Sequence, residues 1–207
     1  MTISGPAIIT PPVVDANLSG PKVKGRFYGP MANGVPANLA LGAANRLYAT
    51  PMFINATSTI KSLSFNVGTG IVGAWNARVG VYRDSGAGVP GALVSGSDTL
   101  TAVPGGSTTG VITGAINSGT GVVLGGNQWY WLAVVAHASG QSLSSLGAAS
   151  GVSLTTGPLG MSTAASFFGG GTTTSVFVAL AFGALPAAFG AASYNNNAVS
   201  PYLLAGF

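Results

Sequence analysis

Glycine and proline punctuate this chain from end to end: 33 Gly and 12 Pro fall among its 207 residues. In a helix interior glycine costs about 1 kcal/mol relative to alanine and proline about 3. The runs left between them are mostly of strand length, and several alternate in polarity with the period of two that a half-buried strand requires. In AWNARVGVYRD, Trp75, Ala77, Val79 and Val81 share one face, while Asn76, Arg78, Gly80 and Tyr82 share the other. RLYATPMFI from Arg46, the alternating Leu63, Phe65 and Val67, then GALVSG, DTLTAV, TTGVITGAI, SLSSLG, VSL, SVFVALAF and the terminal SPYLLAGF read the same way. About nine or ten short strands with turns between them predict an antiparallel β-sandwich or barrel. Only ANLALGAANRLY, Ala37 to Tyr48, reads as a helical turn.

One strand differs from the rest. QWYWLAVVAH is apolar on both faces, with Trp129, Trp131, Ala133 and Val135 on one and Tyr130, Leu132, Val134 and Ala136 on the other. Such a strand is expected inside a sheet stack or at a subunit interface. Residues 1–45 form a second region. They hold Pro6, Pro11, Pro12, Pro21, Pro30 and Pro36, and so predict an extended arm with a short strand at KVKGRFY, ahead of a domain over 46–207.

Charge narrows the function. Charged residues make up 5% of the chain against about a quarter in an ordinary domain. No Asp, Glu, Lys or Arg follows Asp98. A charge-free half offers few acids, bases or metal ligands, and lacks the mixed charges that keep free proteins apart. It therefore points towards a molecule packed against others. The net charge of +4 rests on seven cations and three acids, too sparse for a nucleic-acid groove. There is no Cys, hence no disulfide and no thiolate site. MTISGPAIITPPVV lacks the basic start of a signal peptide. VFVALAFGALPAAFGAA, Val176 to Ala192, has nearly the length of a membrane helix, but Gly183, Pro186 and Gly190 interrupt it, and SVFVALAF reads as a buried strand.

The motifs with chemical potential have simpler readings. GTGIVG, Gly68 to Gly73, matches the dinucleotide fingerprint, yet a strand pattern follows it where a helix is needed. His137 reads as a structural residue at a strand end. A triad would need it to meet Asp84 or Asp98, and nothing in the sequence suggests one. Those two acids are too few for an ordinary calcium cage, though a weak metal site beside either stays open, and RDSGAGVPG reads as a hairpin loop begun by Asp84. Trp75, Trp129, Trp131 and Tyr130 are expected in the core rather than on a sugar platform.

ARVGVYRDSGAGVPGALVSGS, a loop, and then GNQWYWLAVVA resemble the jelly-roll domain of bacteriophage virion proteins. The resemblance rests on Arg78, Gly80, Tyr82, Pro90, Gly91, Gly126, Tyr130, Trp131, Leu132 and Pro201, and on RLYATPMFI as a first strand; it covers about residues 45–207. It implies a jelly-roll-like sandwich, assembled in the host cytoplasm into the virion, often as a homotrimer. It implies a structural rather than enzymatic role without cofactor or metal, as a capsid decoration or cement protein. The alternative is a head- or tail-fibre domain that binds host glycans. Lys22, Lys24, Arg26 and Tyr28 become the expected contact to a capsid or other virion protein, with neither nucleic acid nor membrane as partner. Trp129, Tyr130, Trp131 and Phe177 are expected at a subunit interface or in the core.

Overall fold

A computed structural model describes residues 25, 27–28, 36–40, 46–67, 74–104, 110–137, 142–147, 175–195, 199–201 and 203–207. The first strands are β1 (Phe27–Tyr28), β2 (Pro36–Ala40), β3 (Arg46–Ile54), β4 (Ser58–Ile60), β5 (Ser62–Val67) and β6 (Trp75–Asp84). β7 (Pro90–Leu93), β8 (Thr99–Val103), β9 (Gly110–Ala115), β10 (Val122–Leu124) and β11 (Gln128–Ala136) follow. β12 (Ser142–Gly147), β13 (Ser175–Ala179), β14 (Ser193–Asn195), β15 (Val199–Pro201) and β16 (Leu203–Gly206) complete the described set.

The strands form an antiparallel β-sandwich. Sheet A runs β1-β16-β5-β12-β15, with β2 on β12 and β9 on β5; sheet B runs β14-β13-β3-β11-β6-β7, with β8 beside β7 on β6. β4 and β10 make a separate two-stranded ribbon. The inner faces meet in one apolar layer. Sheet B supplies Tyr48, Met52 and Ile54, Trp75 through Val81 at alternate positions, and Tyr130, Leu132 and Val134; sheet A supplies Leu63, Phe65, Val67, Leu203 and Ala205. Period-two alternation thus sends one set of side chains inward from each strand.

The expected strands at β3, β5, β6, β8, β9, β11 and β12 are present. VSL, residues 152–154, and the GTGIVG motif lie outside the described residues. One expectation changes. ANLA is not a helical turn but part of β2, which pairs with β12 from Pro36↔Leu146 to Ala40↔Ser142. β1 falls within the short strand expected at KVKGRFY, and it joins β2 in sheet A, with the Gly25 N–H donating to the Phe207 carbonyl at 2.7 Å. Pairing with the sandwich thus reaches N-terminal to the expected boundary at residue 46.

The outer face of sheet B carries a second apolar cluster of Leu47, Ala49, Tyr82, Trp131, Ala133, Val135 and Val176, closed by Leu185 and Phe189. Residues 180–192 fold back over this face as a strap. The chain's own strap thus covers the second apolar face of β11 at Trp131, Ala133 and Val135. Gly80 permits the close approach: a Cβ there would stand 2.5 Å from Leu185 Cδ1. The supposed membrane segment divides into β13 and this strap, and among the described residues no helix is long and apolar enough to cross a membrane.

Candidate functional site

The chemistry of this chain has to come from few groups, so the acids come first. Asp84 ends β6 and opens the hairpin to β7. Its Oδ2 accepts the Gly86 N–H at 2.7 Å, an Asx-type turn, and its Oδ1 accepts the Trp131 indole N–H at 2.9 Å. Gly86 and Gly88 hold φ of +87° and +72°, a backbone region that strains other residues. Asp98 lies on the β7–β8 connection, and its Oδ2 accepts both Arg78 Nη1 at 2.8 Å and the Leu185 N–H at 3.1 Å. Both described carboxylates therefore fasten the fold. Asp84 ties the hairpin to β11, and Asp98 ties the strap to β6.

Tyr82 adds a third fastening, donating its hydroxyl to the Pro186 carbonyl at 3.0 Å. Burial pushes its phenol well above the ordinary range, and the charge of Asp98 adds to the shift, so the hydroxyl keeps its proton at neutral pH. Backbone bonds from Leu93 N to Ala187 O at 2.9 Å and from Phe189 N to Gly91 O at 3.0 Å fix the strap along β7. Asp98→Ala removes the partner of a mostly buried guanidinium and orphans the Leu185 N–H. The expected cost is about 2 kcal/mol, measured by urea unfolding, with faster proteolytic cutting inside 180–192.

His137 is exposed at the end of β11, its ring 5.0 Å from that of Phe182, and its described contacts include no acid. Among the described residues no three His, Cys, Asp or Glu side chains gather around a common point. Neither a nucleophile with its base nor a cation cage is assembled from these groups.

The sequence-predicted contact residues separate. Lys22, Lys24 and Arg26 lie outside the described residues; Tyr28 is in β1 opposite Ala205. Tyr130 and Trp131 are core, at 0% and 1% exposure on opposite faces of sheet B. Tyr130 also accepts the Gly125 N–H through its hydroxyl at 2.8 Å. Phe177 is half-buried against the inner core, with the Arg46 guanidinium 4.7 Å over its ring.

Trp129 departs from its neighbours. It is 40% exposed and touches Phe53, its cross-strand partner, with ring centroids 5.3 Å apart. Neither ring belongs to the cluster beneath the strap. In sequence Trp129 alternates in phase with Trp131, so period alone places both on one face. Only the length of the strap separates the covered ring from the open one.

No family model, curated protein or solved structure matches this chain.

Proposed function

We propose that the chain is a non-enzymatic structural protein of a phage virion, a capsid decoration or cement subunit that binds the shell through its N-terminal residues. The observation that carries this reading is the commitment of both described carboxylates to fastening the sandwich, Asp84 to Trp131 and Gly86, Asp98 to Arg78 and Leu185. A hydrolase of glycans, for instance, commonly keeps two carboxylates flanking the bond it cuts. A sandwich whose two described carboxylates brace its own strands and strap suits a mechanical task.

Under this reading Lys22, Lys24 and Arg26 meet an acidic shell surface, and three copies close a ring so that association stops at a defined size. Many weak contacts on one shell then add to a firm grip. Deleting residues 1–24 is the direct test, because it stops short of the Gly25 bond and β1. The truncated chain is expected to keep its strand spectrum and melting temperature and to lose binding to capsids of the parent phage in co-sedimentation. Full occupancy by the truncated chain overturns the reading. The alternative, a fibre domain that holds glycans, draws on a different observation, the open Trp129–Phe53 pair.

A further inference from the structure

We propose that the uncovered end of sheet B is a carbohydrate-binding subsite, with Trp129 as the platform for a pyranose ring and Asp84 as the acceptor for its hydroxyls. The site deepens the glycan-holding alternative and rests on the same open Trp129–Phe53 pair; it does not depend on the cement reading.

The strand register builds it. β11 pairs Trp129 with Phe53 on β3. On its other side β11 pairs Trp131 with Tyr82 and Tyr130 with Arg83, so the same register carried one residue further puts Asp84 beside Trp129. The bond from the Trp131 indole places the Asp84 carboxylate on that same outer face. Phe53 and Trp129 thus pair across β3 and β11, and Asp84 lies at the neighbouring end of β6, just beyond the strap-covered row of Trp131 and Tyr82.

The chemistry of Phe53, Trp129 and Asp84 selects a neutral polyol. A pyranose offers a patch of C–H groups on one face and hydroxyls around its rim. An open indole suits the first, since aromatic side chains combine large apolar area with few rotatable bonds. A carboxylate suits the second through charge-assisted hydrogen bonds. Asp84 is already oriented by Trp131 and Gly86, and each of its oxygens has a further lone pair to give. That orientation is set on folding, which lowers the ordering cost of binding. Asn127, an exposed amide two residues ahead of Trp129, adds a donor and an acceptor close by. An apolar side chain would offer the remaining lone pairs of the carboxylate no donor.

The test uses the full chain and methyl glycosides of glucose, galactose, mannose, rhamnose and N-acetylglucosamine. A single ring on one platform is expected to bind with a Kd of about millimolar order, so each is titrated well past that. Of the tryptophans, Trp75 is buried in the inner core at 4% exposure and Trp131 donates its indole N–H to Asp84. In nitrogen-edited NMR spectra the Trp129 indole signal should therefore move, and the Trp131 signal should follow it where the ligand reaches Asp84. The Trp75 signal should stay. The expected result is a shift of the Trp129 signal with at least one glycoside, together with saturation transfer to the sugar ring C–H protons. Trp129→Ala should weaken binding by about tenfold or more, while Trp129→Tyr keeps most of it. Since Trp129 lies outside both cores, the melting temperature of each variant should stay near that of the parent. Asp84→Asn should weaken binding with Trp129 intact.

The site is overturned if no glycoside moves the Trp129 signal, if binding survives Trp129→Ala, or if N-acetyl-lysine amide moves that signal and the glycosides do not. Capsid co-sedimentation of Trp129→Ala separates the two proposals. In the parent chain, binding to capsids but to no sugar leaves the cement reading standing without the subsite, and binding to sugar but not to capsids does the reverse. With both proposals right, Trp129→Ala keeps capsid binding and loses sugar.

Discussion

Trp131→Ala lowers the stability of this protein by about 4 kcal/mol, the range measured for removing a large aromatic from a packed interior. For a chain of this length that is a fall in melting temperature of about 8–16 °C. Trp131 is 1% exposed on the strap side of the central strand of sheet B. Its ring fills the space beneath the strap, and its N–H holds Asp84. Trp131→Phe separates the two contributions. It keeps most of the apolar volume and loses only the hydrogen bond, so a cost of about 1–2 kcal/mol is expected. Urea unfolding of the two variants reads both numbers. Equal costs would mean that the indole–carboxylate bond, rather than burial, dominates at this position.

Phe189→Ala has the second largest expected effect, about 3 kcal/mol. Phe189 is 1% exposed, meets Tyr82 edge-on at 5.2 Å between centroids, and anchors the far end of the strap. The cost is a cavity between strap and sheet. The further consequence is local: a loosened strap uncovers Leu47, Ala133 and Val135, an apolar patch of the kind that drives self-association. Increased binding of a hydrophobic dye and growth of larger species in light scattering are expected below the melting temperature. The same change without dye binding would show that the strap stays closed on its remaining fastenings at Asp98 and Tyr82.

The strands were legible because their signal is local. In β6 and β11 each side chain reports its own face through alternation, and the tertiary structure keeps both faces as the sequence divides them. The short ribbon of β4 and β10 was not legible, because three residues per strand carry too little pattern. β2 was misread for a related reason. Ala and Leu favour helix when considered alone, and its strand state depends on β12, about a hundred residues away in sequence. Trp129 was expected in the core or at an interface on the strength of an apolar run; it is not in the core, because the strap leaves it 40% exposed.

The sequence by itself determined that this protein is a sandwich of short antiparallel strands, because glycine and proline bar long helices and alternation sorts the side chains. It also determined that the chain is poor in acids and bases, which is a matter of composition. Only the tertiary structure decided what those few acids do. Asp98 meets Leu185 across 87 positions of chain and Asp84 meets Trp131 across 47, and no local pattern encodes a contact of that separation. It also decided what covers the second face of β11. A segment of Leu, Phe, Ala, Gly and Pro has no period of its own, so its place is fixed by the apolar face it finds and by the hydrogen bonds waiting there.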